Sequence, residues 1–176
     1  GHIVFDGSRS SGDIHLAGEN VTGLLLHQPV NGKLELDLLI KQIDPGSRFL
    51  DLSGTRILMQ AVSPTNETKP LETRISIGEA KLKMGPDFFQ AEKPEAPPLL
   101  SGVVRLEGSV ANIDFINSFL KNSQGLEFSG NGELNADLLF LDGQMSPGSK
   151  LRITSGNLSS RFLDFEATGS GMVTAQ

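Results

Sequence analysis

Between Leu126 and Leu141 the chain alternates almost without interruption. Leu126, Phe128, Gly130, Gly132, Leu134, Ala136, Leu138 and Phe140 carry no polar side chain, while Glu127, Ser129, Asn131, Glu133, Asn135 and Asp137 lie between them. Only Leu139 and Leu141 depart from the pattern. Successive side chains on a strand point to opposite faces, so this period predicts a strand with one dry side and one wet side. At roughly 3.3 Å per residue it would run about 50 Å, well beyond the usual ~5–6 residues. Such a length suits a wide, curved sheet better than a small sandwich. Gly130 and Gly132 on the dry face are places where the strand can bend or be approached closely.

Similar signals recur along the chain. His2 to Asp6 reads as a short strand, and Gly7 to Gly12 as a turn. From Thr22 an even-numbered apolar row passes through Leu24, Leu26, Val30, Leu34, Leu36, Leu38 and Ile40, with Pro29 marking a break or a sheet edge. Lys33, Glu35, Asp37 and Lys41 occupy the opposite parity. Phe49 to Val62 reads as two strands with a kink at Ser53-Gly54, and Ser63 to Pro70 as a polar loop. In Glu72 to Met84 the apolar parity slips between Ile77 and Ala80, which predicts a bulge at Gly78-Glu79.

The period changes once. Ile113, Ile116 and Leu120, with Phe115 and Phe119, recur at helical spacing. Asn112 stands where an N-cap is wanted and Asp114 in the first turn. The expected fold is therefore mainly β: a long antiparallel curled sheet, groove, open barrel or sandwich-like, with one short amphipathic helix at about 112–121. Residues 85–98 are rich in proline and charge. They suggest a β lobe over 1–92, a linker at 93–98 and a second β lobe over 99–176, or else one continuous domain.

The chain also echoes itself. Gly32 to Gly54 aligns with Gly132 to Gly156 once two residues are inserted before the second Pro-Gly-Ser. Leu34/Leu134, Asp37/Asp137, Leu38/Leu138, Leu39/Leu139, Pro45/Pro147, Gly46/Gly148, Ser47/Ser149 and Gly54/Gly156 then match. Shorter echoes join Ser129–Ala136 to Thr168–Ala175, and Ile14–Gly23 to Leu151–Ser160. Units that bury a face only by stacking on neighbours make elongated β architectures.

Composition narrows the chemistry. A net charge of −6 argues against nucleic acid as a partner, since phosphate calls for a basic surface. Without cysteine there is neither a disulfide framework nor a thiolate zinc site. Phenylalanine occurs 10 times and tyrosine and tryptophan not at all. Sugar clefts and tight interfaces favour those two amphipathic rings, so lectin and hydrolase readings are disfavoured. No apolar run approaches the ~18 residues of a spanning helix. The chain starts at Gly1, which reads as a piece of a longer parent.

Catalytic patterns are not found. His2, His15 and His27 lack metal-ligand spacing and read as surface or structural residues. Gly130-Asn-Gly132 and Gly169-Ser-Gly171 do not open a helix as a nucleotide loop would. Glu35 and Asp37 share the solvated side of a strand, whereas a glycosidase pair needs a cleft. No metal, cofactor or catalytic residue is expected, and the chain reads as a non-enzyme.

One resemblance rests on an ordered set of motifs: a strand ending in G-S-V at Val110, then I-D-F-I-N-S-F-L at 113–120 and G-L-E-F-S-G-N-G-E-L-N-A-D-L at 125–138, followed by D-G-Q-M-S-P-G-S-K-L at 142–151 and R-F-L-D-F-E-A-T-G-S-G at 161–171. This order resembles the AsmA-like (TamB-related) envelope proteins of Gram-negative bacteria, well over residues 101–176 and more weakly over 12–54. The resemblance implies a periplasmic body built as a repeating β-groove with an apolar inner surface. It implies an inner-membrane anchor elsewhere in the parent protein. It also implies a role in moving phospholipid between membranes or in outer-membrane biogenesis.

The dry face gives that expectation a physical basis. A single curled sheet cannot cover its apolar side alone, and an acyl chain lying there gains about 0.8 kcal/mol per CH₂. The candidate lipid-facing residues are Leu34, Leu36, Leu38, Leu134, Ala136, Leu138 and Phe140. Phospholipid or another acyl-chain lipid is the expected partner, with other envelope proteins beside it. The alternative is a structural β-repeat spacer, an adhesin-like surface module without ligand, whose apolar side chains form a closed core.

Overall fold

Period-two patterning yields one antiparallel sheet. The computed structural model describes residues 1–7, 9–25, 28–61, 71–85, 100–114, 117 and 125–175. Its strands are β1 (His2–Asp6), β2 (Arg9–Leu25), β3 (Gln28–Asp44), β4 (Phe49–Asp51), β5 (Arg56–Ala61) and β6 (Leu71–Met84). They continue as β7 (Leu100–Val110), β8 (Leu126–Ser129), β9 (Gly132–Leu141), β10 (Gln144–Met145), β11 (Lys150–Phe162) and β12 (Phe165–Ala175). The spatial order is β1-β2-β3-β4-β6-β7-β9-β11-β12, with β5 also between β3 and β6, β8 alongside β11 and β10 alongside β9. Neighbours in this order are close in sequence, as in a meander.

Three sequence expectations are met in detail. The bulge in β6 falls between Ile77 and Glu79, where the pairing with β7 shifts by one residue. The kink at Ser53-Gly54 separates β4 from β5. The long row from Thr22 is two strands: β2 and β3 are 17 residues each, and Pro29 sits at the start of β3 opposite Leu24.

Two expectations are corrected. Leu126–Leu141 is not one strand. Gly130 and Asn131 divide it into β8 and β9, which pair with different parts of β11. Gly130 takes a φ of +127°, and its carbonyl accepts the Ile113 N–H at 3.0 Å. The break faces the stretch where β11 itself shifts register, between Ser155 and Leu158. The even/odd burial survives: every even residue from 126 to 140 is at least half-buried, and every odd residue from 127 to 141 is exposed.

The second correction concerns the helix. Among the described residues there is no α-helix, and of the segment 112–121 only 112–114 and 117 are described. Asp114 and Asn117 adopt a 3₁₀ turn. Asn112 Oδ1 accepts the Asp114 N–H at 2.8 Å, the bond expected of an N-cap, while the segment beyond Asp114, apart from Asn117, lies outside the described residues. Asn117 then uses both amide groups on the backbone of Phe128, at 2.8 Å each, and stands in for a neighbouring strand along β8.

The internal repeat is real but differently registered. β3 and β9 align with an offset of 100, as the sequence suggests. The following strand aligns through its cross-strand partners: Asp37 faces Arg56 as Asp137 faces Lys150, and Leu34 faces Met59 as Leu134 faces Ile153. Thr55 therefore corresponds to Ser149, and Gly54 to Gly148. Both glycines have φ near +97°, at +99° and +95°. A leucine side chain, Leu39 or Leu139, lies over each. The Leu39 N–H donates to Thr55 Oγ1 at 3.1 Å, and the Leu139 N–H to Ser149 Oγ at 3.0 Å. Asp44-Pro45-Gly46-Ser47 is instead the hairpin turn after β3, whose counterpart is Asp142-Gly143.

The same logic pairs β2 with β7. His15 and Arg105 face Asp37 and Asp137, while Gly18 and Gly108 face Leu34 and Leu134. Ser11-Gly12 thus corresponds to Ser101-Gly102, and Ile14 to Val104, not to Leu151. The fourth strands are β6 and β12, since Thr73 faces Met59 as Val173 faces Ile153. The echo between Thr168–Ala175 and Ser129–Ala136 thus joins strands at different positions in the unit. Each unit contributes four strand positions, and β6 and β7 join the two units side by side.

Candidate apolar binding face

Directly opposed residues of an antiparallel pair point to the same side of the sheet. Following them from strand to strand traces one apolar row: Leu16, Leu36, Ile57, Ile75, Gly108, Leu134, Ile153 and Val173. Eight strands spaced ~4.8 Å apart make this row about 34 Å wide. The flanking rows hold Leu34 with Met59, Leu38 with Ile14, Ala136 with Leu106 and Leu151, Leu138 with Val104, and Phe140 with Gly102. All seven candidate lipid-facing residues lie on this side.

The row is not equally covered along its length. Leu16 is 55% exposed, and Leu36, Ile57 and Ile75 are half-buried. Leu134, Ile153 and Val173 are buried, Ile153 completely. The cause is the segment that follows β7. Ile113, with no exposed surface, packs into a cluster with Val110, Leu134, Ile153 and Val173, and Leu106, Phe128, Leu151 and Leu158 press against it. Its backbone tie to Gly130 holds it there.

The candidates therefore divide. Leu134 and Ala136, 6% and 2% exposed, belong to the chain's own core. Leu34, Leu36, Leu38, Leu138 and Phe140 remain half-buried and contactable. Leu16, Ile57 and Ile75 join them. Leu16 and Ile75 stand in alternating stretches and were legible from parity. Ile57 stands in the short strand after the kink, where too few residues establish a period.

The opposite face is charged. His15 Nδ1 lies 2.6 Å from Asp37 Oδ1, and Arg105 Nε 3.2 Å from Asp137 Oδ1, at equivalent positions of the two units. Arg105 also reaches Glu79 at 2.6 Å, and Arg161 pairs with Glu127. These pairs are solvated and screened, so they add little to stability. Among the described residues no three His, Asp or Glu side chains gather as a metal site would require.

Polar groups that enter the interior are mostly satisfied locally; among the described residues Asp114 Oδ1 is the buried side-chain atom without a partner. Ser53 Oγ accepts the Ala80 N–H at 2.9 Å, and Asp44 accepts the N–H groups of Gly46 and Ser47 at 3.0 and 3.1 Å. The Ser47 and Gly46 donors, helped by Arg9, hold the Asp44 carboxyl below the usual range. For Asp51, burial pushes upward but is outweighed by hydrogen bonds from Ser53, so the net shift is down. These groups shape turns and bulges, and none points across the apolar row.

Comparison with protein-family models, with curated proteins and with solved structures finds no match to this chain.

Proposed function

We propose that this chain is a non-enzymatic, AsmA-like segment of a cell-envelope protein, and that it binds or conducts lipid acyl chains along an apolar β-groove. The observation that carries the reading is the half-exposed apolar patch on the first repeat: Leu16, Leu36, Ile57 and Ile75 in one row, with Leu34 and Leu38 on either side along β3. Leu34 to Leu38 spans about 13 Å along the strand, and the four-strand row about 14 Å across. Contact there is non-directional, so it favours apolar chains without selecting a head group. The resemblance of residues 101–176 supplies the biological setting: a periplasmic location, an inner-membrane anchor in the parent protein and a part in outer-membrane biogenesis.

The second repeat favours the other reading locally. There Ile113 and its neighbours close the face, as a ligand-free spacer would. The lipid path is therefore assigned to the first repeat and its flank, with Leu138 and Phe140 as its continuation.

The test is direct. The chain is expressed, extracted with organic solvent and assayed for phospholipid by mass spectrometry, beside Leu36→Asp. The expected result is phospholipid on the parent chain and none on the variant, with both retaining a β-sheet circular-dichroism spectrum. Folded parent chain that carries no lipid in any preparation contradicts the proposal, as does a folded variant that carries as much.

A further inference from the structure

The turn between β11 and β12 gathers three large apolar side chains in solvent. Phe162 is 46% exposed, Leu163 66% and Phe165 79%. Phe162 faces Phe165 across the turn, and Leu126 of β8 faces Phe162 on its other side. Directly opposed residues share one side of the sheet, so the two rings stand together beside the half-buried Leu126. Leu163 and Asp164 make the turn itself. It is an internal connection of the chain, and its β11 arm is held by β8.

The fold does not account for this composition. Leu163 has a φ of +54°, the left-handed region in which a Cβ crowds the following carbonyl oxygen. The other non-glycine residues with positive φ are Asn20, Arg48 and Asp142, all polar. The hairpin between β9 and β10 turns on Asp142-Gly143, the residue types such a place favours. In the first unit the equivalent connection lies between β5 and β6. Residues 63–70 there read SPTNETKP, without leucine, isoleucine, valine, methionine or phenylalanine. The duplicated architecture thus accepts a polar connection at this place. A strained, exposed leucine between two exposed phenylalanines points to a contact outside the chain.

We infer that the tip Phe162–Phe165 inserts into the interfacial layer of a zwitterionic phospholipid bilayer. Area argues against a protein partner. The three side chains offer roughly 350 Å² of exposed surface, against ~800 Å² on each side of a stable protein interface. A bilayer asks only that a few apolar groups leave water, and that gain is non-directional. Charge selects the kind of bilayer. Asp164 and Glu166 flank the tip, and Arg161 is paired with Glu127, so an anionic surface is repelled. The tip is separate from the lipid-carrying patch of the first repeat, so either assignment can fail without the other.

The chain contains no tryptophan, which makes Leu163→Trp a unique reporter. Met172→Trp is the control, at a position 59% exposed on the charged side of β12. Phosphatidylcholine vesicles should shift the emission at 163 to the blue and leave that at 172 unchanged. Phosphatidylglycerol vesicles of the same size should give a smaller shift at 163. In flotation with phosphatidylcholine vesicles, Leu163→Asn should bind about tenfold or more weakly than the parent chain. It should melt at the same or a higher temperature, because asparagine suits a positive φ. Phe162→Ser should show the same loss of flotation. Leu163→Asn should still carry whatever phospholipid co-purifies with the parent chain. A parent chain that does not float overturns the inference, as does tighter binding to phosphatidylglycerol than to phosphatidylcholine. So does a Leu163→Asn chain that floats like the parent, or one that melts lower, which would make Leu163 a packing residue.

Discussion

Replacing Ile113 by alanine tests how the apolar face is closed. Ile113 has no exposed surface and is surrounded by Val110, Leu134, Ile153 and Val173. The change removes three carbons, worth about 2.4 kcal/mol at ~0.8 kcal/mol each. A cavity adds to this when the surroundings cannot collapse, giving an expected loss of about 2–5 kcal/mol. Leu36→Ala provides the comparison. It also removes three carbons, but from a half-buried site with no layer of described residues above it, so roughly half the transfer term and little cavity cost apply, about 1–1.5 kcal/mol. Urea unfolding followed by circular dichroism reads both, and an unchanged m-value licenses the comparison. An Ile113→Ala loss no larger than that of Leu36→Ala would refute the division of the face into a closed and an open half.

Two further perturbations address what holds the sheet. Thr55→Val and Ser149→Ala each leave a leucine N–H, of Leu39 or Leu139, without its acceptor. Each should cost about 1–3 kcal/mol in chemical unfolding, and a large effect of one with none of the other would deny their equivalence. In acid, three carboxyls act together. Asp44 is lowered by Ser47 donors, Asp51 by Ser53 hydrogen bonds against an upward push from burial, and Glu72 by Gln60 and Arg74. Because the folded values lie below the unfolded ones, the unfolded chain binds protons first, and stability falls as pH drops. Melting temperature should be level above the ordinary carboxylate values of 3.8 for Asp and 4.5 for Glu and decline below them. A melting temperature that rises in that range would contradict the assignment.

The parity of Leu126–Leu141 was legible because side-chain direction follows sequence directly in a strand. So was the bulge at Gly78-Glu79, since one added residue flips every later side chain. The registry of the repeat was not. Pro-Gly-Ser occurs in two turns that do different jobs, a hairpin at 45–47 and a bulge at 147–149. Only backbone φ and cross-strand partners distinguish them. Of the expected helix at 112–121 only 112–114 and 117 are described, and there the Ile113 N–H is taken by Gly130 and the Asn117 side chain by Phe128, contacts with distant residues that apolar spacing does not reveal. For the apolar face, parity identified which side chains share one side of the sheet. It could not separate Leu134 and Ala136, which the chain itself covers, from Leu34, Leu36 and Leu38. That distinction depends on where a distant segment lands.

The most direct measurement places a photo-activatable cross-linking residue at single positions and weighs the products after irradiation in the presence of phospholipid. Positions 36 and 38 report the open apolar row, position 134 the closed part, and positions 35 and 37 the charged face. A lipid-sized mass increase at 36 and 38, with none at 35, 37 or 134, is the predicted result. Adducts that are equally frequent on the charged face, or no adduct at 36 and 38 in folded protein, would contradict the lipid-binding role.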